Sequence, residues 1–355
     1  MLLEKLKFLD KKMIRLIFII FLLFNYLKAW GIEKEIKIAS DYIDKGDFSK
    51  AVEIITPLVE KEDPYALNMM GWLYMNGKGV EKNEKKALEL YMLSASKGFA
   101  KAYYNLGLSY EYGKGTDVDI AKAIYHYKEG YSRGDPKSAF ALGKLYTKGC
   151  KTEKNFDDGI KYLKYSCRKK ISDSCYFLGN IYETEYRDEK KAEKYYIKAG
   201  ELGYVEGFRR AGNIFFYKKP IKSENIKKAV KYYNLALEKK DPVSAYNLGT
   251  IYLSGIEPFE KDEIKAYELF NISASSGYAP AFGRLGVLYA TSQKSGIDLN
   301  RAKDYLMKGV KSNDPYSIIM ANQFCKNKII LCSEEEKSML EEKYFKNLNN
   351  STIKE

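Results

Sequence analysis

The chain has 355 residues, and 60 Lys and Arg against 47 Asp and Glu give a formal net charge of +13. Hydrophobic residues make up 45 % of the chain, which excludes general disorder, and eight prolines exclude a collagen-like or proline-rich architecture. The single histidine excludes a histidine-rich metal site and any mechanism that needs two imidazoles.

Residues 1–29 have the composition of a secretory signal peptide. Basic residues dominate positions 1–15, and positions 16–27 (LIFIIFLLFNYL) carry no charge. This apolar run is shorter than the about 20 residues that a membrane span needs, and the small residue Ala29 follows it. We therefore expect export with cleavage after Ala29. Met13 is an alternative start, and an uncleaved anchor is the alternative to cleavage.

A period of about 36 residues organises the rest of the chain. Seven segments align on one glycine, which an aromatic residue follows three positions later. The glycines are Gly71, Gly107, Gly143, Gly179, Gly212, Gly249 and Gly286. The residues three positions later are Tyr74, Tyr110, Tyr146, Tyr182, Phe215, Tyr252 and Tyr289. A second column, further along each period, holds Tyr91, Tyr127, Leu163, Tyr196, Tyr233, Phe270 and Leu306.

Each period predicts two amphipathic helices and two turns. Ala66, Met70 and Tyr74 have the i, i+4 spacing of one helical stripe, and Ala87 and Tyr91 belong to a second stripe that would face it. We expect both aromatic columns to lie in the core. Asp-Pro dipeptides at 63–64, 135–136, 241–242 and 314–315 predict helix starts, with Asp as the cap and Pro in the first turn.

Residues 102–134 (AYYNLGLSYEYGKGTDVDIAKAIYHYKEGYSRG) resemble the Sel-one-like repeat, a 36-residue relative of the tetratricopeptide repeat. The resemblance covers seven repeats over 63–314, and residues 30–62 are similar to one tetratricopeptide-type helical hairpin. We expect residues 315–348 to form a partial repeat and a capping helix, and 349–355 a flexible tail. One repeat cannot bury its apolar face, so the repeats must stack. The resemblance implies an all-α fold, a right-handed superhelical α-solenoid of stacked helix-turn-helix repeats.

Five cysteines follow the N-terminal segment, and export would permit disulfides. A tight turn between two helices can bring Cys167 and Cys175 within bonding distance. The exported Helicobacter cysteine-rich branch of the repeat family places a cysteine pair there in nearly every repeat. Cys325 and Cys332 flank the last turn and are the second predicted pair, which leaves Cys150 as the odd cysteine. The alternative for each cysteine is a small buried apolar residue.

The column three residues before the repeat glycine is the candidate binding surface. It holds Asn68, Tyr104, Phe140, Tyr176, Arg209, Tyr246 and Gly283. By analogy with tetratricopeptide repeats this column lines a concave groove, where Tyr104, Phe140, Tyr176 and Tyr246 would anchor a peptide or protein partner. The alternative is that these rings pack against neighbouring repeats.

The cysteine-rich branch is also associated with penicillin binding and weak β-lactamase activity. Ser94-x-x-Lys97 and Ser166-x-x-Lys169 match the nucleophile motif of serine β-lactamases. Both matches lie at the C-terminal ends of predicted helices, and the companion motifs Ser-Asp-Asn and Lys-Thr-Gly are missing. We therefore predict no catalytic residue, no cofactor and no metal site.

We expect an exported, periplasmic or secreted bacterial repeat scaffold, and the family resemblance implies that it binds protein partners through its concave groove, in the cell envelope or at the host interface. A β-lactam-binding protein or weak β-lactamase is the alternative function. Basic and acidic residues are interleaved along the chain, which argues against a nucleic-acid partner. Membrane contact is expected only through the N-terminal segment, if that segment is retained. The identity of the partner stays open.

Overall fold

The computed structural model describes residues 32–149, 154–292 and 296–352. All secondary-structure elements in these ranges are α-helices, as the sequence predicts. The chain divides into two compact units, one ending at Ile171 and the other beginning at Ser172. The predicted signal peptide, Cys150 and residues 353–355 of the predicted tail lie outside the described ranges.

The described part of the first unit consists of antiparallel helix pairs joined by short turns. Its helices are α1 (32–44), α2 (Phe48–Glu60), α3 (Pro64–Asn76), α4 (Glu84–Ser96), α5 (Ala100–Tyr112), α6 (Ile120–Ser132), α7 (Pro136–Lys148) and α8 (Phe156–Arg168).

The second unit continues the same pattern of paired helices. Its helices are α9 (Ser172–Thr184), α10 (Glu189–Glu201), α11 (Val205–Tyr217), α12 (Ser223–Glu238), α13 (Pro242–Ser254), α14 (Glu263–Ser275), α15 (Ala279–Thr291), α16 (Leu299–Lys311), α17 (Pro315–Lys326) and α18 (Glu334–Thr352). Each unit is thus an all-α repeat solenoid. The right-handed superhelical twist stays a prediction.

Side-chain caps fix where most helices begin. Asp63 accepts a hydrogen bond from the backbone N–H of Ala66 at 3.0 Å, and Pro64 occupies the first turn of α3. The same Asp-Pro arrangement starts α7, α13 and α17, so the four predicted helix starts are confirmed. These caps satisfy backbone donors that a helix start would otherwise leave unpaired.

The turn after the second helix of a repeat requires one residue with a left-handed backbone. Gly134 supplies it between α6 and α7 with φ +88°. Lys170 stands in the corresponding place after α8 and adopts φ +67°. A side chain in this conformation costs roughly 1–2 kcal/mol.

The repeat glycine lies beneath a side chain from the second helix of its own repeat. A Cβ at Gly71 would lie 2.7 Å from a ring carbon of Tyr91, which is buried. The Tyr91 column is fully core, as predicted. The Tyr74 column is core only in part, because it lies near the end of the first helix: Tyr74 is half-buried, and its hydroxyl accepts a hydrogen bond from Lys86 Nζ at 2.8 Å.

Polar contacts join the turn of one repeat to the next. Gly115 N–H donates to Glu84 Oε2 at 3.2 Å in the first unit. In the second unit, Ser292 Oγ donates to Glu263 Oε2 at 2.6 Å. In both cases the acceptor is the first residue of a second helix, and the donor lies in the following repeat. The turns between paired helices therefore lie side by side along one edge of each unit.

Candidate functional site

The four predicted anchor rings lie on the first helices of their repeats and are all half-buried. Tyr104 on α5 and Phe140 on α7 belong to the first unit, and Tyr176 on α9 and Tyr246 on α13 to the second. Each ring packs against neighbouring side chains and also keeps part of its surface exposed. Their role as partner anchors stays a prediction.

In the second unit Tyr176 is the centre of an aromatic and charged cluster. Its ring stacks on Tyr204 with centroids 4.5 Å apart and packs on buried Tyr196 at 5.4 Å. Burial raises the pKa of the Tyr176 phenol, which also has Arg210 and Glu206 as hydrogen-bond partners. The ring is therefore held in one orientation by contacts on two sides.

Arg209 and Arg210 extend this cluster along α11. Arg209 Nη2 lies 2.9 Å from Glu206 Oε1, and its Nε lies 3.5 Å from Asp241 Oδ2. Arg210 Nη1 lies 3.8 Å from Glu183 Oε2. Burial by itself would lower the pKa of Arg210, but its hydrogen bond to Tyr176 and the Glu183 carboxylate raise it above the usual value. The Arg210 guanidinium is therefore charged in a partly desolvated setting.

Tyr246 forms the next part of the same surface. Its ring packs edge-on against Tyr278, with ring centroids 5.4 Å apart, and lies tilted against Phe270, with ring centroids 5.5 Å apart. Arg284 on α15 donates from Nε to the Tyr246 hydroxyl at 3.3 Å, and its guanidinium lies 4.3 Å from the ring centroid of Tyr316 on α17. The contacts thus continue from α13 to α17.

We call this surface the tyrosine–arginine face. It is formed by first helices of successive repeats in the second unit. Its members are Tyr176, Arg209, Arg210, Tyr246, Arg284 and Tyr316. Each of them is half-buried. Tyrosine and arginine are the residue types that most often dominate binding energy in protein interfaces, because they combine large contact area with directed hydrogen bonds.

The corresponding positions of the first unit are less charged. Asn105 Nδ2 donates to Asn68 Oδ1 at 2.7 Å, so the first helices α3 and α5 are joined by an amide pair. Lys144 Nζ lies 5.5 Å from the ring centroid of Phe140, and Tyr104 packs on Tyr127 at 6.0 Å. This surface lacks the arginines of the second unit.

Sequence reasoning missed Arg210 and Arg284. Both stand two residues before the repeat glycine, in a column that also holds Met69, Asn105, Ala141, Phe177 and Asn247. Arginine in two of these seven positions was the available signal. The binding column was assigned by analogy with tetratricopeptide repeats, and these two arginines stand in the column next to it.

The serines of the two β-lactamase-like motifs have structural roles. Ser94 Oγ donates to the carbonyl of Pro64 at 2.6 Å, and Ser166 Oγ donates to the carbonyl of Pro136 at 2.8 Å. Both serines are completely buried. Lys97 directs its amine to Glu62, not to Ser94. Neither serine has the exposure of a nucleophile, and Ser273 makes the equivalent bond to Pro242 outside any such motif.

The described residues hold no group of three or more His, Cys, Asp or Glu arranged to bind a metal ion. None of their helices combines the length and the apolar character that crossing a bilayer requires. His126 on α6 stacks on Tyr110 with ring centroids 5.3 Å apart.

The cysteines fall in three different situations. Cys325 and Cys332 form a disulfide that closes the turn between α17 and α18. Cys167 is buried on α8, and Cys175 is buried on α9. These two helices belong to different compact units, and the Cys167–Cys175 pair stays a prediction. Cys150 lies outside the described residues.

Known proteins are similar to part of this chain. The chitin synthase regulator SKT5 of Saccharomyces cerevisiae is 30 % identical over 132 residues, which cover 37 % of this chain and 19 % of that protein. Chitin synthase regulatory factor 1 of Schizosaccharomyces pombe is 27 % identical over 146 residues, which cover 41 % of this chain and 32 % of that protein. The chain therefore spans only about a fifth to a third of the length of these curated relatives.

Two solved bacterial structures share the fold. A protective antigen of uropathogenic Escherichia coli with an SLR fold has a TM-score of 0.73 at 20 % identity, over 92 % of this chain and 71 % of that one. A Sel1 repeat protein from Oxalobacter formigenes has a TM-score of 0.58 at 20 % identity, over 83 % of this chain and 86 % of that one. At this identity the likeness shows the fold alone.

The family itself is shown by the repeat sequence. The family model described as "Sel1 repeat" matches residues 64–99, 100–135, 136–170, 172–204, 212–241 and 242–278, together more than half of the chain. The structure adds a further helix pair, α15 and α16, directly after these segments. The chain belongs to the Sel1 repeat family, the Sel1-like branch of the tetratricopeptide repeat superfamily.

Proposed function

We propose that this Sel1 repeat protein is an exported scaffold that holds a protein partner on the first-helix surface of its second unit. The observation that carries the proposal is the tyrosine–arginine face. Against the opposing effect of burial, hydrogen bonds to tyrosine hydroxyls raise the pKa of Arg210 and of Arg284, its tyrosines are oriented by ring contacts, and all its members keep exposed area. No movement of the backbone is needed to present these groups.

The chemistry of the face favours a partner segment with aromatic or apolar side chains and some acidic groups. The partly exposed rings of Tyr176 and Tyr246 offer apolar area, while Arg210 and Arg284 offer donors to carboxylates or backbone carbonyls. Arg210 Nη1 lies 3.8 Å from Glu183 Oε2, and Arg284 Nε lies 3.3 Å from the hydroxyl of Tyr246. Such loose pairs leave donor capacity for a partner.

Site-specific photo-cross-linking tests the proposed surface. A photoreactive phenylalanine analogue replaces Tyr176 or Tyr246 in the full chain, and Tyr125 on α6, which is 59 % exposed, serves as the control position. We expect one partner to be cross-linked from both face positions and not from the control. The same partner should be lost when Arg210→Ala and Arg284→Ala are combined with the photoprobe.

Removal of two positive charges elsewhere is the matched control for this arginine pair. Lys239→Ala with Lys311→Ala changes the charge equally at two exposed positions and should leave the cross-link intact. Equal cross-linking from Tyr125, or full cross-linking in the arginine variant, would contradict binding at the tyrosine–arginine face.

Export is the second part of the proposal. It is supported by the basic and apolar composition of residues 1–29 and by the Cys325–Cys332 disulfide, a bond that persists mainly in oxidising compartments. The intact mass of protein recovered from the cell envelope and the medium tests it. We expect loss of residues 1–29 and a mass increase on reduction. A full-length chain with free thiols would contradict export.

A further inference from the structure

Exposed apolar side chains of the second unit are concentrated at one edge. This edge holds the turns between the first and second helix of each repeat. Eight large exposed apolar residues lie in these turns or in the helix residues that border them: Tyr186, Tyr217, Ile221, Ile264, Ile297, Leu299, Ile329 and Leu331. Contiguous exposed apolar patches mark contact surfaces in soluble proteins.

The α11–α12 turn adds strong positive charge to this edge. Tyr217 is 70 % exposed and Ile221 is 59 % exposed, and exposed Lys219 and Lys222 stand beside them in the chain. Six lysines and one glutamate lie within residues 217–231. Lys219 and Lys222 make no ion pair with any described residue. Basic residues are therefore clustered here, although they are interleaved with acidic ones over the whole chain.

The neighbouring turn extends the same surface. Lys218 Nζ lies 3.7 Å from Glu189 Oε2, so the α11–α12 turn lies beside the start of α10. The α9–α10 turn that precedes Glu189 exposes Tyr186 and Arg187. We define the basic–apolar patch as Tyr186, Arg187, Tyr217, Lys219, Ile221 and Lys222.

We infer that the basic–apolar patch docks the protein on an anionic lipid bilayer. Lysine and arginine near a membrane are attracted by anionic headgroups, with about 1 kcal/mol, or roughly a fivefold gain in binding, for each cation. Tyrosine prefers the membrane interface, and an aliphatic side chain such as Ile221 gains by entering it. A nucleic acid would make use of the lysines but offers nothing to Ile221.

This surface differs from the tyrosine–arginine face, which lies on the first helices rather than at their turns. It also differs from the sequence-based expectation that the membrane is contacted only through residues 1–29. The patch uses cations that make no ion pair within the described residues, so docking breaks no ion pair of Lys219 or Lys222. One protein could therefore bind a partner on one surface while another surface rests on the membrane.

Tryptophan fluorescence measures this contact directly. Tyr217→Trp places a reporter in the patch, and Tyr125→Trp places one at an exposed site of the first unit. The full chain is mixed with vesicles of brominated phosphatidylcholine, with or without phosphatidylglycerol, and the signal of the native tryptophans is subtracted using the wild type. We expect the patch reporter to be quenched only by the anionic vesicles, with the quenching lost at high salt. The reporter in the first unit should not be quenched.

Paired variants separate the two contributions. Lys219→Glu with Lys222→Glu should weaken vesicle binding roughly tenfold or more, whereas Lys239→Glu with Lys311→Glu, an equal charge change at two exposed helix ends, should not. Ile221→Ser should reduce quenching of the patch reporter without changing the charge. Circular dichroism of each variant verifies that the helices are intact.

Several results would overturn the inference. These are quenching of both reporters alike, equal quenching by neutral vesicles, or the same effect from both lysine pairs. Binding to DNA that survives Ile221→Ser, without quenching by anionic lipid, would assign the patch to an acidic macromolecule instead.

Discussion

The ring of Tyr233 lies directly against Gly212, so that a Cβ at residue 212 would be 2.6 Å from a ring carbon. Tyr233 is buried, and its hydroxyl donates a hydrogen bond to Asn213 Oδ1 at 2.8 Å. The glycine and the ring belong to the two helices of one repeat. The repeat glycine, the most regular feature of the sequence, is therefore required by the close approach of these helices and not by a turn.

Gly212→Ala should destabilise the second unit. In an unpacked helix the change would stabilise by about 1 kcal/mol, but here the added methyl must displace the ring, and overpacking of this kind costs typically about 1–3 kcal/mol. We expect faster amide hydrogen exchange in α11 and α12. Asn234→Ala, at an exposed position of α12, is the control and should slow exchange slightly. Slower exchange in Gly212→Ala would disprove the packing argument.

Ser166→Ala should lower stability without affecting hydrolysis. The variant removes a buried hydrogen bond to the Pro136 carbonyl, which is worth about 1 kcal/mol. Urea unfolding of the first unit should shift to lower concentration, while turnover of the β-lactam nitrocefin should equal that of the wild type. Ser132→Ala, at an exposed site of α6, should change neither. Loss of nitrocefin turnover in Ser166→Ala would contradict a purely structural role.

His126 should make the first unit less stable as the pH falls below about 6.5. Burial lowers the pKa of this imidazole; Glu129 opposes the shift and Lys122 adds to it. The ring also faces Tyr103, Tyr110 and Tyr125. Between the folded and unfolded pKa values the unfolded chain binds more protons, so stability is lost as the pH decreases through this window.

Because the chain has one histidine, this effect can be isolated. Stability of His126→Phe should depend less on pH between about 7.5 and about 5.5, the range around the usual imidazole pKa, than that of the wild type. The N-cap carboxylate of the same helix, Asp119, does not interfere in this window. Its hydrogen bonds to Lys122 lower its pKa, and its contribution is lost only below about pH 4. An unchanged pH slope in His126→Phe would show that another group is responsible.

Reduction of the Cys325–Cys332 disulfide should loosen the C-terminal helix pair. The bond closes a loop with a sequence separation of seven residues, and chain entropy gives about 2.5 kcal/mol for a loop of this size. Hydrogen exchange should accelerate in α17 and α18 of Cys332→Ser, with little change in α9 and α10. Equal acceleration throughout the second unit would mean that the bond stabilises more than the terminal pair.

The helix pairs could be predicted because their signals are local. The Asp-Pro caps, the glycine period and the two apolar stripes each act within one repeat, and one repeat is nearly the whole packing environment of its residues. The start of α18 is equally local, since Ser333 and Glu336 form a capping box: Ser333 N–H donates to Glu336 Oε2, and Glu336 N–H donates to Ser333 Oγ. Tyr74 was misjudged because its position near the helix end lets its hydroxyl reach Lys86 and solvent.

The sequence by itself determined the all-α repeat architecture, because the period, the helix caps and the apolar stripes are all local signals that lie within one repeat of about 36 residues. Only the tertiary structure decided which side chains meet between repeats. Arg284 Nε donates to the hydroxyl of Tyr246, which lies 38 residues earlier in the chain. Lys218 Nζ lies 3.7 Å from Glu189 Oε2, at the start of the second helix of the preceding repeat. Such contacts depend on how successive helix pairs stack. A periodic pattern predicts that each pair stacks on the next, but it does not specify which polar groups then face each other.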